Sequence, residues 1–313
     1  MIDPIFIIGC PRSGTTLLLD LLAGSGAFGF VNSDTLRDED DPARHGMTRT
    51  YDLPVVGSAL YRNRRVLARA ARRLPVGDVA LAARLPSAFE PWAFWSNLVP
   101  GFRPELGSGR AVDPLPLEAG GIAALRARRV VADLLARQHR DQLLSKYTDF
   151  PRVALMRSIF PKARFVHLHR DPFAVTNSYA REIESGRFGT WRYRDRWSAE
   201  WTEPARAHWN ATGNTVLGFA AHNRNHFAGL VDAAIAGDDR CLSVTYEALT
   251  ENPVRILESI LAFAEATPRH SIVNLCNSIP TLNTNHRWRT ERDSHETALL
   301  KDIFTPDYSG ALT

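Results

Sequence analysis

The sequence predicts an α/β fold, a central parallel sheet covered by helices on both faces. Two junctions carry that prediction, each a short apolar run that breaks into a turn and resumes as a helix. In the first, Ile5 to Ile8 breaks at Gly9 and resumes at Thr15. In the second, Arg164 to His169 is followed by Asp171 and Pro172. The third observation is the alternation of strand-like and helix-like runs along the chain, as expected for crossovers between parallel strands. A content of 44% hydrophobic and 23% charged residues over 313 positions is that of an ordinary soluble globular protein.

Taken in order, Ile5 to Ile8 reads as a buried strand because the run leaves no polar face. The turn from Gly9 to Gly14 has the G-x-x-x-x-G spacing of a P-loop, and Thr15 to Leu22 is the helix behind it. Backbone N–H groups of such a turn and the positive end of the helix dipole point at one spot, which makes an anion cradle. The Lys of an NTP-binding loop is missing: Gly14 is followed by Thr15 and Thr16, and Arg12 places a cation inside the turn. Without that Lys a β,γ-phosphate pair lacks a principal counter-charge, so an ordinary kinase or ATPase is disfavoured. Arg12, Ser13, Gly14, Thr15 and Thr16 are the expected anion contacts.

Residues 29–57 read as an irregular stretch centred on the acidic run Asp38 to Asp41, and residues 58–85 as helical, interrupted by Pro75 and Gly77. Arg62, Arg65, Arg69, Arg72 and Arg73 share one face of that helix. A solvated face is the plain reading; a platform for an acidic acceptor or an anionic membrane is the alternative. Phe89, Trp92, Phe94 and Trp95 suit either a corner of the core or the wall of an acceptor pocket. A loop rich in Pro and Gly follows from Val99 to Pro116, then a long amphipathic helix over 117–145. We therefore expect a single domain, 1–313, with a mainly helical insertion at 58–130.

At the second junction Asp171 is a good N-cap and Pro172 a good first helical residue. Arg170 then sits at the mouth of the helix, with Ser178 about two turns further on. The planar fork of an Arg and a nearby hydroxyl suit a second phosphate. Two anion sites on two strand-to-helix junctions suit a nucleotide phosphorylated at both ends of its ribose. His167 and His169 alternate on one strand face and read as core or sheet-edge residues.

Pro11 to Thr16 together with Arg170 to Ser178 resembles the paired signature of the PAPS-dependent sulfotransferases. It is most similar to the bacterial branch that is itself similar to tyrosylprotein sulfotransferases. The resemblance continues weakly through Val244 to Pro253. It ends near Asn285 to Trp288, similar to a C-terminal loop that closes over the nucleotide; residues 36–140 match loosely. It implies that the first motif holds the 5′-phosphosulfate of 3′-phosphoadenosine-5′-phosphosulfate (PAPS) and that Arg170 and Ser178 hold its 3′-phosphate. Arg181 is a weaker addition.

The resemblance also implies a catalytic role for Arg12 and for Lys146, which stands where the family has a strand-end Lys on the leaving oxygen. The family's general base follows the loop Arg at a set distance. Counting from Arg12 reaches Ser33, and one inserted residue brings Asp34 into register. Asp34 is the first candidate, Glu90 the second, a later His the third. The implied reaction moves the sulfuryl group of PAPS to a hydroxyl of a carbohydrate, lipid or secondary metabolite and releases PAP. Two readings stay open beside it: a P-loop kinase or nucleotide-binding enzyme, and a PAPS-binding protein without turnover.

The formal charge of +4 is mild, and no aromatic-basic motif of nucleic-acid binders appears. An anionic cofactor accounts for a local positive field equally well. Cys10, Cys241 and Cys276 are too scattered for a disulfide framework or a metal set. His222 and His226 stand four apart without the intervening Glu of a metalloprotease pattern, so no metal is expected. The first strand lies close to Met1 and no long apolar run occurs. A cytoplasmic bacterial enzyme that does not span a membrane is the expectation; oligomeric state is not legible.

Overall fold

The computed structural model describes residues 3–31, 90–102, 118–148, 150–278 and 282–304. The first half of the chain runs β1 (Ile5–Ile8), α1 (Thr15–Gly24), β2 (Gly29–Phe30), α2 (Trp92–Leu98), α3 (Gly121–Gln138), β3 (Leu143–Lys146) and α4 (Val153–Ile159). It continues through β4 (Arg164–His169), α5 (Pro172–Glu184), α6 (Arg194–Ala199), α7 (Glu203–Ala211), α8 (Val216–Ile235) and β5 (Cys241–Thr245). The final helices are α9 (Tyr246–Glu251), α10 (Pro253–Ala264), α11 (Ile272–Ser278), α12 (Trp288–Glu291) and α13 (Ser294–Ile303).

The five strands form one sheet in the order β2-β3-β1-β4-β5, and every pairing is parallel. The first strand in sequence is thus the central one. Its register sets Ile7 beside both Lys146 and Val166, and Ile8 beside His167. All carboxyl ends therefore finish on one edge, and the strand order reverses at β1, which is where open α/β sheets take ligands.

Core packing explains why the strands read as apolar runs. Ile5 and Ile7 face a cluster with Leu18, Leu22, Leu257 and Ile260 from α1 and α10. Phe6 and Ile8 face the other way, into Trp95, Val131, Leu135 and Phe160. Each strand residue is at most 1% exposed, so no alternation survives in the sequence.

Three expectations change. Gly29 and Phe30, read as the start of an irregular stretch, form β2 beside β3. The helix expected over 117–145 ends at Gln138, with His139 in the left-handed region at φ 52° as its C-cap. Leu143 to Lys146 is a strand instead. Leu143 and Leu144 continue the apolar periodicity of the helix, but they are wholly buried in the sheet between β1 and β2. Tertiary pairing overrides the local pattern.

Phe94 and Trp95 form a corner of the core, with Trp92 packed partly buried against it. Trp95 is wholly buried, packs 5.9 Å from Phe6 and donates its indole N–H to Ser145 Oγ at 3.1 Å. Phe89, the acidic run, the Arg-rich helix and residues 103–117 lie outside the described residues. Among the described residues no helix is long and apolar enough to cross a membrane.

Candidate active site

The loop between β1 and α1 is shaped by backbone constraints. Gly14 lies at φ 99° and is the N-cap of α1; a Cβ there would stand 2.4 Å from the ring of Tyr246. Glycine meets both demands at once. At Gly9 a Cβ would stand 2.8 Å from the carbonyl oxygen of Leu168, so β4 approaches the loop backbone closely. Arg12 also has positive φ, 73°, although it is not a glycine. Strain of this kind persists only where the surroundings hold it, and here the Arg12 side chain and carbonyl are both engaged.

Those engagements join the two junctions. Arg12 Nε donates to Ser178 Oγ at 3.0 Å, while Arg170 donates to the Arg12 carbonyl at 3.0 Å. Arg170 also donates to Asn285 Oδ1 at 2.9 Å and Thr284 Oγ1 at 3.0 Å, with its guanidinium 4.2 Å above the Tyr246 ring. Asp171 caps α5 by accepting from the Ala174 N–H at 2.7 Å, with Pro172 at the first position, as expected from sequence. Burial pulls the Arg170 pKa down from its ordinary value; the neighbouring Tyr246 and Glu247 oppose that shift. The guanidinium titrates so high that it stays charged.

Between the junctions lies a cleft of about 240 Å³. Arg12, Arg170, Arg181 and Arg287 line it with Ser178 and Thr284, and Glu182 is the carboxylate on its wall. Glu182 sits 3.4 Å from Arg12 and also pairs with Arg187; hydrogen bonding from Arg187 is the main cause that holds its pKa below the usual carboxylate range. Arg181 is paired with Glu291 at 3.0 Å. Four guanidinium groups surround this small space, two of them, Arg12 and Arg181, paired with Glu182 and Glu291.

A second cluster stands where β3 ends. Lys146, 5% exposed, donates to Thr16 Oγ1 at 2.9 Å and lies 3.3 Å from Glu90. Glu90 also accepts from the backbone N–H and the hydroxyl of Thr148. One cation therefore bridges a hydroxyl of the anion loop and a carboxylate. Ser13 is buried with its hydroxyl unpartnered among the described residues, and Thr15 is buried in the first turn of α1. Asp34, the first candidate for a base, lies outside the described residues.

Other titratable groups are set by burial. Cys10 is driven up to about 11, which keeps the thiol protonated and unsuited to nucleophilic work. His167 is driven down to about 3, mainly by burial and then by the neighbouring His169, so it is neutral. His222 and His226 lie on α8, and His222 pairs with His208 across 3.1 Å.

Sequence reading did not reach Thr284 or Glu182 as lining of the cleft, nor Tyr246 as the ring against Arg170. Glu182 had a usable signal, since it follows Ser178 by one helical turn and must share its face. The others arrive by tertiary contact alone.

The sequence matches the model of the sulfotransferase family over residues 4–97 and 109–268. No curated protein matches the chain. Among solved structures the chain is similar to sulfotransferase STF9 from Mycobacterium avium, at 18% identity and TM-score 0.48, covering 99% of this chain and 76% of that one. It is also similar to mouse sulfotransferase SULT7A1 complexed with PAP, at 11% identity and TM-score 0.44, covering 99% and 87%. A sulfotransferase domain from the curacin biosynthetic pathway aligns at 13% identity and TM-score 0.42, over 100% and 96%. With the family model spanning both strand-to-helix junctions and most of the chain between and around them, this protein belongs to the sulfotransferase family and is a sulfotransferase.

Proposed function

We propose that the enzyme transfers the sulfuryl group of PAPS to a hydroxyl of a carbohydrate, lipid or small-molecule acceptor and releases PAP. The observation that carries this reading is the hydrogen-bonded union of the two junctions, Arg170 to the Arg12 carbonyl and Arg12 to Ser178, around one arginine-lined cleft. A donor with phosphates at both ends of its ribose needs two anion sites at a fixed separation. Arg170 and Ser178 take the 3′-phosphate. Arg12 and the backbone of Ser13, Gly14, Thr15 and Thr16 take the 5′-phosphosulfate.

In the transfer step the bond from sulfur to the bridging phosphate oxygen breaks as the bond from sulfur to the acceptor oxygen forms, through a loose in-line transition state by analogy with phosphoryl transfer. Negative charge grows on the leaving oxygen, and Lys146 is the cation beside Thr16 that meets it. As Lys146 turns to that oxygen, the Glu90 oxygen it faced becomes free. Glu90 then takes the acceptor's proton, a role supported by its place 3.3 Å from Lys146. Asp34 is the other carboxylate for this role. The acceptor is taken over the insertion at 58–130, within a single domain of 1–313. The three cysteines are unpaired, which suits a reducing cytoplasm.

Calorimetric binding of PAP against ATP tests the donor. We expect tight PAP binding, weak ATP binding, and a loss of at least about tenfold for PAP in Arg170→Ala, since a charge-assisted Arg–phosphate contact is lost. A preference for ATP, or a PAP affinity indifferent to Arg170, would return the chain to the wider class of P-loop nucleotide enzymes.

A further inference from the structure

A second cluster, on the β4 face covered by α8, has no place in the transfer reaction. His167 and His169 are alternate residues of β4, so their side chains leave the same face of the sheet. Their ring centroids are 3.8 Å apart. Asp232, near the end of α8, brings Oδ1 to 3.7 Å from His167 Nδ1. One ligand atom from each of the three residues lies within 4.8 Å of the other two.

His167 supplies an independent observation. The residue is 3% exposed, and its Nδ1 is buried without a hydrogen-bond partner among the described residues. An unpaired buried ring nitrogen is costly and calls for a missing partner. The separation of 3.7 Å to Asp232 is too long for a hydrogen bond. It is close to the spacing of about 3.3–3.5 Å that two ligand atoms take around one tetrahedral zinc ion.

We infer that His167, His169 and Asp232 bind a divalent transition metal, with Zn²⁺ the best fit. Two imidazoles and one carboxylate form a borderline nitrogen and oxygen set, which suits zinc better than Mg²⁺ or Ca²⁺. Asp232 has a side chain 58% exposed, so the cluster opens to water on its side. The cation felt at both histidines, Arg224, turns its guanidinium to Asn225 Oδ1 at 3.0 Å and over the Phe304 ring at 5.8 Å. The metal fastens the end of α8 to β4 one residue ahead of Arg170. It acts as a clamp behind the arginine cleft and takes no part in moving the sulfuryl group.

The test is titration of the chelator-stripped full chain with Zn²⁺ by calorimetry and with Co²⁺ by visible absorption. One saturable equivalent with a tetrahedral Co²⁺ spectrum is expected. Asp232→Asn should weaken Zn²⁺ at least about tenfold, and His167→Gln should abolish the Co²⁺ spectrum. Absence of saturable binding overturns the assignment. So does binding that both variants leave intact, because the metal would then sit on other histidines. If His167→Gln does not fold, Asp232→Asn at its exposed position decides alone. PAP affinity is measured separately, so failure here leaves the donor assignment standing.

Discussion

At the scale of single residues, the site is a set of cations with assigned neighbours. Lys146 is the instructive one, because its ammonium is divided between the Thr16 hydroxyl and the Glu90 carboxylate. A carboxylate that only balanced Lys146 would affect binding, whereas a base affects turnover. Glu90→Gln keeps the size and the contacts with Thr148 but cannot take a proton. We expect kcat to fall by about 10²–10⁴ with PAP affinity nearly unchanged, which steady-state kinetics and calorimetry separate. Arg12, Lys146, Arg170 and Ser178 were legible because each sits in a motif or at a strand end. Tyr246 and Asn285 fell within segments of weak resemblance and Thr284 within none, and their contacts with Arg170 were not legible. They reach Arg170 across more than 70 positions of chain, and no local pattern encodes a stacking or hydrogen-bond partner so distant.

At the scale of elements, local rules and tertiary demands agree at some places and conflict at others. The α5 start obeys local rules: Asp171 caps it, Pro172 opens it, and Arg170 is fixed at its mouth. Asp171→Ala should cost about 1 kcal/mol of stability, read as a lower urea midpoint with unchanged slope. The Asp171 backbone N–H, which the substitution keeps, donates to Glu247 at 3.0 Å, and Glu247 in turn accepts from Asn285. β3 is the contrary case. Leu143 and Leu144 prolong a helical period, and only the vacancy between β1 and β2 makes them a strand. The sheet order itself was beyond the sequence, since a run of buried apolar residues carries no mark of its neighbours.

At the scale of the whole molecule, burial of neutral histidines sets the acid limit. His226 is pushed down to about 4 by burial alone, and His222 to about 4 by burial first and then by His208. Unfolded histidine titrates near 6.5, so below that pH the unfolded chain binds protons that the folded chain refuses. Stability is therefore unaffected by these groups above about pH 6.5 and falls as pH drops toward about 4. Urea denaturation at pH 7 and pH 5 should show the loss, and His226→Gln should show a smaller one. The parallel sheet has a further consequence, for biosynthesis. β1 is the central strand, yet the strands it pairs with, β3 and β4, are the residues 143–146 and 164–169. When Ile5 to Ile8 leave the ribosome, their partners have not been made. Four apolar residues must wait, unpaired, for the 135 positions from Ile8 to Leu143, during which they are open to chaperones and to misassociation. Thr284 and Asn285, which hold Arg170, are made later still, so the arginine cleft is among the last parts of the enzyme to exist.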